Sequence, residues 1–156
     1  LGTFLEPFRK VRKRQIIFST PKFFLFDVGI AGALSGRHLQ IPKGFEFGRA
    51  FEHFIYMELL AYRSYAEKET HFSFWRTKDQ MEVDFVLDRG ETAIEVKGTA
   101  QIGARETKSL RSFVEEHHPQ KAWLVCQEPR RRKMPSGIVI LPWRDFLEEL
   151  WGGEIF

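Results

Sequence analysis

Met81-Glu82-Val83-Asp84-Phe85-Val86-Leu87, then Asp88-Arg89-Gly90-Glu91, then Thr92-Ala93-Ile94-Glu95-Val96-Lys97 is the stretch on which the fold reading turns. Both outer pieces alternate apolar and polar residues, the pattern of half-buried strands. Met81, Val83, Phe85 and Leu87 are expected on one face of the first strand, with Glu82 and Asp84 on the other. In the second, Ile94 and Val96 oppose Glu95 and Lys97. The intervening Asp-Arg-Gly-Glu is a turn signal, so the spacing predicts a hairpin.

A turn centred on Arg89 and Gly90 sets Asp84 across from Glu95 and Glu82 across from Lys97. Cross-strand partners have Cβ atoms about 4.5–5.5 Å apart. Two carboxylates so close repel unless a positive species sits between them. A hard divalent cation such as Mg²⁺ takes one or two carboxylates and keeps waters free for a phosphate substrate. Lys97 would bring an ammonium beside that ion. An ordinary Glu82–Lys97 ion pair with a solvated Asp84 accounts for the same residues without a metal.

The 156 residues suit one domain with a real core. Hydrophobic residues are 43% of the chain, with 16 Phe and 4 Trp, which excludes a disordered polypeptide. The single cysteine, Cys126, has no partner for an internal disulfide, so a reducing, cytoplasmic setting is expected. No apolar run approaches the roughly 20 residues that span a bilayer, and no signal peptide is evident. The absence of an initiator Met at Leu1 points to a piece of a longer protein. A net charge of +3 does not by itself imply a polyanionic partner. Its clusters, Arg9–Arg14 and Arg130-Arg131-Arg132-Lys133, fit either a nucleic-acid footprint or solvated loops.

Leu1–Thr20 reads as a connector from an upstream module. Pro21–Phe26 reads as a strand, and Asp27 as the N-cap of a short helix over Val28–Leu34. Ile41–Phe47 reads as a loop. Gly48–Tyr65 is a helix whose Phe51, Phe54, Ile55, Leu59, Tyr62 and Tyr65 share an apolar arc at about 100° per residue. Glu52 lies at the edge of that arc and Glu58 near its middle, so either acid is a candidate to face the sheet. His71–Thr77 is a strand, Ala104–His117 an amphipathic helix, and Lys121–Cys126 an apolar strand covered on both faces. Strand, helix, strand from Ala93 to Cys126 implies a crossover between parallel strands. Ile138–Leu141 and a closing helix over Trp143–Trp151 complete an α/β fold, a mixed central sheet flanked by helices.

Asp84, ten residues, then Glu95-Val96-Lys97 resembles the motif of the PD-(D/E)XK nuclease superfamily, without its leading Pro. Gly48-Arg49-Ala50-Phe51-Glu52 resembles the Gly-x-x-x-Glu helix start of resolvases in that superfamily. Four blocks (Pro21–Ile30, Gly48–Leu60, Trp75–Asp79 and Glu82–Val86) together resemble the C-terminal domain, catalogued as of unknown function, of prokaryotic AAA-type ATPases. The resemblance implies a restriction-endonuclease-like fold over residues 21–156. It also implies an ATPase module upstream of the linker at residues 1–20. The fragment has no Gly-x-x-x-x-Gly-Lys-[Ser/Thr], so no ATP site is expected in it.

What the resemblance implies for chemistry is metal-dependent hydrolysis of a phosphodiester in nucleic acid, DNA in the first instance. Asp84, Glu95 and Lys97 would be catalytic. Asp84 and Glu95, with Glu52 and the Val96 carbonyl, would hold Mg²⁺ or Mn²⁺, and Arg130, Arg131, Arg132 and Lys133 would meet the nucleic acid. The alternative is a non-catalytic module that docks nucleic acid or protein for the ATPase, or assembles copies through its aromatic surplus. His53, His117 and His118 lack the spacing of zinc ligands.

Overall fold

The computed structural model describes residues 1–9, 20–36 and 43–156. Its strands are β1 (Gly2–Pro7), β2 (Lys22–Leu25), β3 (Phe72–Arg76), β4 (Glu82–Leu87), β5 (Thr92–Val96), β6 (Lys121–Cys126), β7 (Arg132–Lys133) and β8 (Val139–Pro142). Its helices are α1 (Val28–Leu34), α2 (Gly44–Tyr65), α3 (Lys108–His117) and α4 (Trp143–Trp151). The strands form one mixed sheet in the order β2-β1-β3-β4-β5-β6-β8-β7. The α/β architecture expected from the strand and helix patterns is therefore observed.

At the centre, β4 and β5 pair antiparallel with Phe85 opposite Ile94, Val86 opposite Ala93 and Leu87 opposite Thr92. This is the register counted from the turn. Arg89 (φ 59°) and Gly90 (φ 103°) supply the left-handed backbone that such a tight reversal requires. The crossover through α3 leaves β5 and β6 parallel, as expected.

Two apolar layers sandwich the sheet. On one side Phe51, Ile55, Tyr56 and Leu59 of α2 and Phe146 and Leu150 of α4 pack on Phe74, Phe85, Leu87, Ile94, Val96 and Val125. On the other, Leu110 and Phe113 of α3 cover Val86, Ala93, Leu124 and Ile140. Each fully buried Leu, Ile, Val or Phe among them contributes about 1.5–3 kcal/mol relative to solvent exposure. Asp27 caps α1, its Oδ1 accepting the Ile30 N–H at 2.8 Å.

Several expectations need correction. The connector expected over residues 1–20 contains β1, which pairs antiparallel with β2 and parallel with β3; residues 10–19, with Lys10 to Arg14 of the first basic cluster, lie outside the described residues. Helix α2 begins at Gly44, so Gly44–Phe47 is helical where a loop was expected. Helix α3 begins at Lys108, not Ala104, because Glu106 accepts the Gly103 N–H at 2.9 Å and Thr107 Oγ1 donates to the Gly103 carbonyl at 3.0 Å, closing a turn instead. Within the basic stretch, Arg132–Lys133 pairs with β8 as an edge strand. Tyr65, placed on the apolar arc of α2, is exposed at the helix end.

The strict alternation expected over Met81–Leu87 also breaks. Ser73 pairs with Val86 but Trp75 with Val83, so β4 carries one residue more than β3 between those pairs, a β-bulge. Val83 consequently joins Val86 on the α3 side, while Phe85 and Leu87 face α2. The bulge falls at Asp84.

Candidate functional site

Beyond Phe85 and Ile94 the side chain of Asp84 takes over the link between the two strands. Its Oδ2 accepts the Val96 N–H at 2.8 Å. Its Oδ1 lies 3.8 Å from the Lys22 ammonium. One carboxylate thus ties the Glu95–Lys97 strand to a group of charges on the α2 side.

That group is built by three elements. Strand β2 supplies Lys22, whose Nζ bonds Glu52 at 2.8 Å and also Glu82. Strand β4 supplies Glu82, which is further held by Arg76 of β3. Helix α2 supplies Glu52, and its rotation is set by packing one turn further on. There Tyr56 stacks on Phe85 with ring centroids 5.3 Å apart and meets Phe24 of β2 at 4.5 Å. His53 Nε2 donates to the Leu25 carbonyl at 2.6 Å, a second tie between α2 and β2. The same rotation sends Glu58 to α4, where its Oε2 accepts the Trp151 Nε1–H at 3.0 Å. Of the two acids considered on this helix, Glu52 joins the cluster.

Ligand oxygens of Glu52, Glu82 and Asp84 lie within 4.8 Å of one another, a separation suited to a metal ion. This trio shares Glu52 and Asp84 with the expected ligand set but contains Glu82, which the sequence reading had paired with Lys97. Glu95 stands next to it. Its Oε1 is 2.5 Å from Lys97 Nζ. Its Oε2 is buried and accepts no hydrogen bond, one of the few such side-chain atoms among the described residues. A buried carboxylate oxygen without a donor costs about 1–3 kcal/mol or more, and a cation is the partner that relieves it.

The ionisation of the cluster follows from crowding and burial. Burial pushes the Glu95 carboxyl up to about 7 against the lowering pull of the Lys97 charge and hydrogen bond, and Glu82 and Glu52 push it in the same upward direction. Burial, then the charges of Glu52 and Glu95, holds Asp84 well above the ordinary carboxylate range despite Lys22 and Lys97. For Lys97 burial works downward, but Glu95 and Asp84 outweigh it and the ammonium is held above its usual range. The ammonium of Lys22 is likewise raised, burial being outweighed by Asp84, Glu52 and Glu82.

Beside the cluster opens a cleft of about 610 Å³ whose walls include Lys22, Arg49, Glu52, Arg76 and Glu82. The basic residues expected to meet nucleic acid lie elsewhere. Arg130, Arg131, Arg132 and Lys133 are exposed at the β7 edge, three strands from β5, about 14 Å at ~4.8 Å per strand. Arg131 is bonded to Glu149, and Arg132 makes two hydrogen bonds of 2.9 Å to Glu128. His117 packs among the rings of Phe8, Trp75 and Phe113. The signal for Lys22 and Glu82 in the sequence was weak, an amphipathic strand start and an alternation that also fits solvent.

An α/β domain with a carboxylate–lysine cluster where two central strands part is the class that fold and site define. The chain belongs to the family described as Domain of unknown function (DUF4143), whose pattern matches residues 47–146. The match contains Glu52, Glu82, Asp84, Glu95 and Lys97 and excludes Lys22. No curated protein and no solved structure matches the chain. No helix among the described residues is long and apolar enough to cross a membrane.

Proposed function

We propose that this chain is a nuclease-like domain that hydrolyses phosphodiester bonds in nucleic acid, DNA in the first instance, with Mg²⁺ or Mn²⁺ as cofactor. The observation that carries the reading is Asp84 bridging two charged groups, with the unpartnered Glu95 Oε2 and the Lys97 ammonium beside it. Glu52, Glu82 and Asp84 would hold the ion on the α2 side, and Glu95 would be a further ligand through its unpartnered Oε2. A divalent ion held there supplies a bound water of lowered pKa and neutralises charge on the phosphate.

The residues contribute the rest. Lys97 keeps its proton, because Glu95 and Asp84 hold the ammonium above its usual range. A compact ammonium so placed orients an attacking water and stabilises charge on the phosphate oxygens. Glu95 keeps Lys97 in place. Arg49 on the cleft wall, and Arg76 where it is not engaged by Glu82, would meet an incoming phosphate backbone. The test is a plasmid-nicking assay with Mg²⁺ or Mn²⁺ on the chain and on Asp84→Asn, with circular dichroism to confirm the fold. Metal-dependent nicking lost in the variant supports the proposal; an inactive wild type on supercoiled, linear and single-stranded DNA counts against it.

A second reading is favoured by one observation, the Lys22 ammonium seated among the carboxylates. In it the domain is a non-catalytic module docking nucleic acid or protein for an upstream ATPase, the partner implied by the resemblance. It predicts DNA affinity that falls steeply with salt and ignores divalent ions.

A further inference from the structure

We propose that Lys22 is a tethered counterion of the carboxylate cluster, and that a divalent cation enters only by displacing its ammonium. The inference rests on the metal-binding reading above and adds how loading of the site is controlled. Three acids from two elements, Glu52, Glu82 and Asp84, converge on one Nζ. The same three carboxylates that cluster tightly enough for an ion are the ones that surround the ammonium. Ammonium and metal are therefore alternative occupants of one position.

Charge counting favours the exchange. With every group ionised, Glu52, Glu82, Asp84 and Glu95 face Lys22, Arg76 and Lys97, a deficit of one positive charge. With Lys22 withdrawn, four carboxylates face two cations, a deficit that one divalent ion balances. The buried Glu95 Oε2, on the neighbouring strand, is left without a hydrogen-bond partner. The geometry allows the movement: Lys22 sits on an edge strand of the sheet, its stem is flexible, and it lines the cleft into which it would swing. In the ion-free chain the ammonium keeps mutually repelling acids together; in the loaded chain it stands in the cleft, where an anionic substrate arrives.

The experiment uses the 156-residue chain. Mn²⁺ affinity is measured by calorimetry for wild type, Lys22→Met and Asp84→Asn. Removing the competing ammonium is expected to tighten Mn²⁺ binding about tenfold or more, since wild type binds only through its displaced fraction. In parallel, wild type is acetylated with and without Mn²⁺, and modification of Lys22 is read by mass spectrometry. Expulsion into the cleft is expected to raise it several-fold. This arm needs no variant, so it decides the matter if Lys22→Met does not fold. Equal Mn²⁺ affinity in wild type and Lys22→Met, with loss in Asp84→Asn, overturns the displacement while leaving the metal site standing. Unchanged Lys22 acetylation with Mn²⁺ bound overturns it also. Absence of Mn²⁺ binding in all three overturns both this inference and the metal reading it rests on.

Discussion

The Val96 N–H donates to Asp84 Oδ2 at 2.8 Å, at the point where the β4–β5 ladder ends. A side chain stands in for the next rung, and the bulge of β4 at this position allows it. The bond holds the acid of one strand against the Glu95-Val96-Lys97 of the next without a further backbone pair.

This bond separates two substitutions at one position. Asp84→Asn retains an acceptor for the Val96 N–H and removes the charge. Asp84→Ala leaves that buried donor bare, at a cost of about 1–3 kcal/mol. Urea unfolding is expected to rank Ala below Asn by that amount, while both abolish divalent-ion binding.

Lys97→Ala removes the counterion of Glu95 and, in the proposed reaction, the group that meets charge on the phosphate. Nicking in Mg²⁺ is expected to fall about 10²–10³-fold, the scale of losing one aimed donor at a charged transition state. Circular dichroism should remain that of the wild type.

The pH dependence of stability is set by a carboxyl that holds its proton more tightly in the folded chain. Glu95 is raised from its ordinary 4.5 to about 7, chiefly by burial. Between those values the folded chain binds more protons than the unfolded one, so stability declines as pH rises and levels off above about 7. The loss from this one group is at most about 3 kcal/mol. Asp84, raised by burial and then by Glu52 and Glu95, acts in the same direction. Urea midpoints from pH 4.5 to 8 are expected to fall less steeply for Glu95→Gln than for wild type.

Glu52 depends on packing behind it. Phe85→Ala removes the ring on which Tyr56 stacks, at a cost of about 3–5 kcal/mol. Its thermal midpoint should drop accordingly, and its divalent-ion affinity should fall as α2 loses its seat, although no charged residue has been changed.

The exposed basic stretch at the β7 edge is already half engaged, through Arg131–Glu149 and Arg132–Glu128. If the chain binds DNA through it, alanine at Arg130, Arg131, Arg132 and Lys133 together should reduce the slope of log affinity against log salt by about 2. Four phosphate contacts would give about 3.6. Fluorescence anisotropy over a salt series measures the difference.

Much of the fold was legible because it rests on local rules. Alternation around a Gly-bearing turn gave the hairpin and its register, and the apolar run at Lys121–Cys126 gave the parallel neighbour. Strand β1 was missed because its partners, β2 and Phe72–Arg76, lie at a distance in the chain and no periodicity in Gly2–Pro7 announces them. The bulge was missed because it arises from the pairing of β3 with β4 and leaves no mark in either strand alone.

The same division runs through the site. Residue type and spacing alone placed Asp84 on one arm of a hairpin and Glu95 with Lys97 at the end of the other, since side-chain period and turn geometry act within a few residues. Tertiary structure alone decided that Glu52 rather than Glu58 meets them, that Glu82 joins Asp84, and that Lys22 sits between them. Those choices depend on how α2 rolls against Phe85 and where an edge strand sixty residues upstream is laid. They are outcomes of packing between distant parts of the chain, which no local pattern encodes.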